Sequence, residues 1–229
     1  MERIIVGILF SDVAGFSKLS QPGLERYSTT ILPELENIVI HPHRGHLKKT
    51  NTWGDAIMLV SNDVSELADL ALSLRDFYKN KNWAKLGIVP NLSVRIALHL
   101  AAVSHGLNAI VGEDDVFGHD LTVAARIEPI IPPNMIYTTE QFRNHIQANH
   151  PIIKFDDLGN VPLAKDAGER HLFHLRRMND SPSEPISSAR DRLLAVRESG
   201  PRLSPEDAEM LNSIIQEARD ASIPDKLPT

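Results

Sequence analysis

Apolar residues in this chain gather into separated runs whose spacing changes from element to element. The first run, RIIVGILF (3–10), is continuous, as in a strand covered on both faces, and it stops at Ser11-Asp12. In QPGLERYSTTILPELENIVI (21–40), Leu24, Ile31, Leu35, Ile38 and Val39 recur at roughly helical spacing, and Pro33 inside that run predicts a kinked or split helix. HPHRG (41–45) reads as a connection. KKTNTWGDAIMLV (48–60) predicts two strands around a very short turn holding Gly54 and Asp55. Asp63 and Glu66 have capping-box spacing at the head of a helix whose buried face is Val64, Leu67, Ala68, Ala71, Leu74 and Tyr78. NLSVRIALHLAAV alternates as a strand, with Val94, Ile96, Leu98 and Leu100 on one side. Residues 105–117 read as a loop with three consecutive acids, Glu113 to Asp115. HDLTVAARIEPI predicts a helix ended by Pro132-Pro133. NMIYTT is a short strand, EQFRNHI a short helix, and IIKFDDLG and RHLFHL a final strand pair.

The order β-α-β-β-α-β predicts an α+β fold with a ferredoxin-like core. The expectation is one sheet with helices on one side, extra C-terminal strands and a helical tail. The domain should span 1–178, with NDSPSEPIS (179–187) as a linker and 188–229 as the tail. In the tail, Ser204, Pro205 and Asp207 suit a helix start, and Leu211, Ile214, Ile215 and Ala218 form an apolar stripe.

Composition narrows the chemistry. The net charge of −6 offers no broad basic face for nucleic acid, and the absence of cysteine excludes disulfides, thiolate metal sites and a cysteine nucleophile. No run resembles a signal peptide or reaches membrane-spanning length, so a cytoplasmic protein without a membrane or nucleic-acid partner is expected. HPHRGH clusters His41, His43 and His46 and reads as a solvated loop. His171 and His174 are expected to face water, and Trp83 to anchor an edge. Topology brings two carboxylates to one sheet edge: Asp12 ends the first strand, and Asp55 sits at the hairpin tip. Paired aspartates with few histidines nearby suit Mg²⁺ or Mn²⁺, which prefer oxygen ligands. The following VAGFS adds a glycine and backbone N–H groups close to a helix start, which are natural phosphate contacts.

ILFSDVAGFSKLS, TNTWGDAIMLV, VRIALHLAAV, DVFGHDLTVAARIE and FDDLGNVPLAKDAGERHLFHL resemble, in order, five blocks of the class III nucleotidyl cyclase catalytic domain. They cover about residues 4–177. The resemblance implies that Asp12, Asp55 and the Val13 carbonyl hold two Mn²⁺ or Mg²⁺ ions. It implies that Gly15, Phe16 and Ser17 line the triphosphate, that Arg95 meets the β/γ-phosphates, and that Lys165 lies close to them. Arg126 matches the arginine that stabilises the pentavalent phosphorus, and Asp115 matches an acid at the base pocket. The implied reaction is in-line attack of the ribose 3′-hydroxyl on the α-phosphate, expelling pyrophosphate. It also implies a homodimer, with Asp12 and Asp55 from one protomer facing Asp115 and Arg126 of the other.

Phe117 replaces the family's tryptophan, a mild change, and two polar reading positions depart from the family pattern. Asn51 stands where adenylate cyclases carry lysine and guanylate cyclases glutamate; its neighbours Lys49 and Thr50 are alternative base readers. Thr122 replaces the asparagine that orients the ribose. Charged phosphate groups are retained while base-reading groups change, so the chain resembles the bacterial antiphage pyrimidine cyclases. That implies UTP as the favoured substrate and a separate effector responding to the cyclic product. The alternatives are a cytidylate cyclase, an adenylate cyclase with an unusual base pocket, and an inactive cyclase-like dimerisation module.

Overall fold

The computed structural model describes residues 2–147, 150, 152–180 and 182. The helical tail expected over 188–229 lies outside the described residues, as does most of the linker. The strands are β1 (Glu2–Ala14), β2 (Leu47–Trp53), β3 (Ala56–Ser61), β4 (Ser93–Asn108), β5 (Glu113–Phe117), β6 (Ile136–Thr139), β7 (Ile153–Pro162) and β8 (Glu169–Arg177). The principal helices are α1 (Gln21–Arg26), α2 (Leu32–Leu35), α3 (Val64–Asn80), α4 (Leu121–Ile127) and α5 (Glu140–Gln147). All the strands join one sheet in the order β2-β3-β1-β4-β6-β8-β7, with β5 beside β4. The β2-β3-β1-β4 portion is the ferredoxin-like core the sequence predicts.

β1 and β4 are the spine. They pair antiparallel along all of β1, from Glu2↔His105 to Ala14↔Ser93. β4 pairs parallel with β6, and the crossover between them carries α4. One face of the sheet buries Leu9, Val13, Ile57, Leu59, Val94, Ile96 and Leu98 beneath α3 and the helical segment 21–40. The opposite face buries Val6, Ile8, Val60, Ala97, Ala101 and Val103 against Val123, Ala124 and Ile127 of α4. Helices therefore cover both faces, not one as expected. The small side chains at Ala97 and Ala101 leave room for α4, and a strand apolar on both sides needs both sides covered.

Two further expectations are corrected, and the split allowed for at Pro33 does not occur. The chain stays helical from Gln21 to Ile40, with wide π-helical turns (Tyr27–Ile31 and Glu36–Ile40) flanking α2. A widened turn absorbs the missing N–H of proline and the clash of its ring. Residues 105–117 are not a loop. β4 runs on to Asn108, and β5 returns antiparallel with Asp115 opposite Gly106. The acids hide this strand because backbone pairing, not side-chain burial, holds it. Ile110, at the hairpin tip, is 95% exposed. His174 does not face water. It is buried edge-on to Tyr137 at 6.2 Å, and burial pushes its pKa down to about 4.

Several expectations hold. Asp63 caps α3, accepting from the N–H groups of Ser65 and Glu66 at 3.1 and 3.0 Å. The Glu66 carboxylate turns instead to His43 Nδ1 at 2.8 Å, so the capping box stays half-closed. Trp83 is a buried anchor whose indole N–H donates to the Tyr78 carbonyl. At the far edge, Arg75 contacts Asp76 at 2.7 Å and Asp180 at 2.6 Å. Arg176 pairs with Asp156 of the neighbouring β7, and Arg177 pairs with Asp76 at 3.0 Å, which ties the end of β8 to α3.

Candidate active site

The site is assembled by strand register. β1 pairs with β3 from Gly7↔Ser61 to Ser11↔Ile57, so Asp12 is the next residue past that ladder. β3 begins at Ala56, directly after the two-residue turn Gly54-Asp55. Gly54 takes a φ of +64° at the first central position of this turn, a conformation that costs glycine little. The turn brings Asp55 to Asp12. Burial and then the Asp12 charge push the Asp55 pKa up to about 6, although the Val13 N–H donates to its carboxylate. Two carboxylates that repel one another at a half-buried edge suit a divalent cation. Among the described residues no group of three or more His, Cys, Asp or Glu side chains could hold a metal. Any cation here would complete its shell with backbone carbonyl, water and substrate oxygens, as Mg²⁺ commonly does. The histidines at 41, 43 and 46 pair separately with Glu36, Glu66 and Asp63.

Arg95 lies opposite Asp12 in the β1–β4 ladder. Its Nη2 donates to Asp12 Oδ2 at 2.5 Å, and its Nε lies 2.6 Å from Oε1 of Glu128. Glu128 is the site residue that sequence reasoning missed. Its trace is a single acid inside the apolar run VAARIEPII. It follows α4 directly, is 6% exposed, and burial raises its pKa to about 7 despite the Arg95 charge. Gly15 follows β1 with a φ of +96°, and a 3₁₀ turn (Phe16–Lys18) begins there. The N–H groups of Phe16 and Ser17 open that turn and have no partner within it. The Phe16 ring itself packs edge-on to Tyr27 at 5.0 Å, so its side chain serves the core.

The residues expected at the base lie elsewhere on the sheet. The Lys49 ammonium is 3.5 Å from Oδ1 of Asp115, whose Oδ2 accepts from Asn108 Nδ2 at 2.9 Å. Burial alone would raise Asp115. The Asn108 and Val116 N–H bonds and the Lys49 charge outweigh it and hold the carboxyl below its usual range. A cleft of about 310 Å³ opens beside this pair, lined by Arg44, Lys49, Thr50, Glu113 and Asp114 among others. Asn51 does not reach into that pairing; its Oδ1 accepts from the N–H of Thr52 at 2.9 Å. Thr122 bonds back to the His119 carbonyl at 3.0 Å in the first turn of α4. Arg126 is half-buried on α4 and forms no ion pair among the described residues. Lys165 is exposed on the β7–β8 connection in a left-handed conformation, φ +58°. One chain thus brings Asp12, Asp55, Arg95 and Glu128 together, and separately Lys49 with Asp115. It leaves Arg126 and Lys165 outside both groups.

A family profile described as "Adenylate and Guanylate cyclase catalytic domain" matches residues 3–176. Mouse (Mus musculus) guanylate cyclase 2G is 29% identical over 189 residues, covering 77% of this chain and 17% of that protein. Guanylate cyclase beta of Plasmodium berghei is 28% identical over 167 residues, covering 66% of this chain and 6% of that protein. The chain thus spans a small part of these relatives. The adenylyl cyclase CyaB from P. aeruginosa superposes with a TM-score of 0.65 at 18% identity, covering 79% of this chain and 96% of that one. The guanylate cyclase domain of RhGC from Catenaria anguillulae, solved with GTP, superposes with a TM-score of 0.63 at 18% identity, covering 77% and 99%. No helix among the described residues is long and apolar enough to cross a membrane. An acidic pair on one edge, an arginine bridging to it from the next strand, the shared sheet and the match across 3–176 converge, and the chain belongs to the adenylate and guanylate cyclase catalytic domain family.

Proposed function

We propose that the chain is a nucleotidyl cyclase that converts a nucleoside triphosphate to its 3′,5′-cyclic monophosphate and pyrophosphate. The observation carrying this reading is the approach of Asp12 to Asp55 with Arg95 in the same rung. Asp12 and Asp55, with the Val13 carbonyl, hold divalent cations whose chemistry, when bound, is to acidify the ribose hydroxyl and neutralise the leaving group. Arg95, fixed between two acids at this edge, meets the β/γ-phosphates, and the N–H groups at Gly15, Phe16 and Ser17 take further phosphate oxygens. Lys165 joins them. Arg126, which forms no ion pair among the described residues, serves the α-phosphate of a site completed by a second protomer, where Thr122 lies toward the ribose. A homodimer with two equivalent sites follows.

For the base, UTP is the favoured substrate. Asn51, the usual reading position, is turned onto its own backbone, while Lys49 and Asp115 supply one donor and one acceptor beside the cleft that Thr50 lines. Uracil offers O4 and N3–H to such a pair. The same donor and acceptor also fit N1 and N6 of adenine, which is the specific observation behind an adenylate cyclase reading. A role as second-messenger synthase in antiphage defence, with a separate effector, rests on the sequence resemblance to the pyrimidine cyclases. Incubation of the purified chain with each of four NTPs and Mn²⁺, with the product identified by mass, tests the assignment. Cyclic UMP supports it, cyclic AMP replaces it with the second reading, and no cyclic product from any of the four leaves a dimerisation module.

A further inference from the structure

We propose that Glu128 is a positioning residue that fixes Arg95 for the phosphate end of the nucleotide. The inference rests on the reading of Arg95 as a phosphate contact. Glu128 follows α4 at the opening of a 3₁₀ turn, Glu128–Ile130. Only 8% of its side chain is exposed, yet its Oε1 stands 2.6 Å from Arg95 Nε. The opposite end of the same guanidinium donates to Asp12 Oδ2. Arg95 is therefore held from two sides, by an acid on β1 and by an acid after α4.

The two contacts differ in kind. The bond to Asp12 is aligned. The Nε–H of Arg95 does not point at Glu128, so neither Arg95 Nε nor Glu128 Oε1 has an aligned hydrogen-bond partner. The attraction is between charges brought close, without the directional gain that usually accompanies a buried ion pair. Replacing such a pair as a whole by well-packed apolar side chains is commonly neutral or better for stability, whereas removing one partner strands the other charge; here Arg95 keeps Asp12 when Glu128 is changed. Stability thus does not account for an acid at this place. Orientation does. Asp12 is shared with the cation site, and a group drawn to cations holds an arginine less firmly. Glu128, buried just after α4, keeps its hold on Nε and leaves Nη2 on Asp12 at the edge.

Acting through Arg95 makes the proposal separable from a structural role. The 229-residue chain and its Glu128→Gln, Arg95→Met and double variants are compared. Titration calorimetry with inorganic pyrophosphate and Mn²⁺ reads affinity, steady-state cyclisation reads KM and kcat, and thermal melts read folding. Glu128→Gln is expected to melt within a few degrees of the parent, to bind pyrophosphate about tenfold more weakly and to raise KM more than it lowers kcat. Arg95→Met is expected to lose roughly 100-fold, and the double variant no more than Arg95→Met alone, because the second change has nothing left to orient. Unchanged pyrophosphate binding in Glu128→Gln beside a loss in Arg95→Met overturns the proposal and spares the role of Arg95. Losses that multiply in the double variant also overturn it. If Arg95→Met binds pyrophosphate normally, the reading of Arg95 falls and the proposal with it. Should Glu128→Gln fail to fold, Glu128→Asp, which keeps the charge one methylene short, enters the same comparison.

Discussion

At the scale of single residues, charge placement decides most of what the site can do. Asp55 has its pKa raised to about 6 by burial and by Asp12. A carboxyl raised in the folded state contributes stability below its unfolded pKa, and that contribution is lost as pH rises through about 6. Asp55→Asn in EDTA at pH 8 is therefore expected to gain about 1 kcal/mol after solvent screening, a rise of roughly 2–4 °C in Tm, while cyclase turnover falls at least about 10²-fold. A differential melt at pH 8 and a cyclisation assay check the two signs. His99 has the opposite sign. It is buried beside Thr139 Oγ1 at 2.9 Å, and burial pushes its pKa down to about 4, with Asp120 and Arg170 as its charged neighbours. Its contribution is complete above the unfolded value of about 6.5 and is lost as pH falls toward 4, up to about 3 kcal/mol. Melts between pH 7 and 4 should show a shallower loss in His99→Gln than in the parent. Asp12 and Asp55 were legible in the sequence because the strand–turn pattern alone brings them together, although β1 runs two residues past Asp12, to Ala14. Glu128 was not, because its meaning depends on its meeting Arg95, a side chain of the earlier strand β4. Lys49 was legible only as one of three alternatives, since alternation names a face and not a partner.

At the scale of elements, the continuous or strongly periodic runs declared themselves. β1, the β2–β3 hairpin, α3 and the β7–β8 pair follow their apolar spacing, and Gly54-Asp55 named its own turn. β5 did not, since an acidic strand held by backbone bonds has no hydrophobic signature. α4 on the second face was hidden for a related reason: alanines at 97 and 101 look neutral in a pattern but are the space a helix fills. The junction between β1 and the Phe16–Lys18 turn depends on one backbone conformation. At Gly15 an added Cβ would sit 3.4 Å from the Asn91 carbonyl oxygen, at a φ of +96°. Gly15→Ala is expected to cost about 1–2 kcal/mol by urea denaturation and to raise KM by displacing the N–H groups of residues 16 and 17.

At the scale of the whole molecule, the division of labour between groups predicts behaviour in trans. Asp12 and Arg126 belong to different protomers of one proposed site. Asp12→Asn and Arg126→Ala are each expected to be nearly inactive. Mixed in equal amounts after refolding together, half of the dimers pair one variant with the other, and each such dimer holds one site with both native residues. Recovery of about a quarter of parental activity is the expected outcome. A mixture as inactive as its components would place all these groups in a single chain.

The long ladder between β1 and β4 carries Asp12↔Arg95 only two rungs from its end at Ala14↔Ser93. Ladders open from their ends, so the amides around this rung sit where deuterium enters sooner than at Val6 or Leu9 in the middle. The edge that carries Asp12 and Arg95 is then also one of the two ends from which the spine opens. Arrival of a nucleotide should register there as slowed isotope uptake, a signal that needs no turnover to be seen.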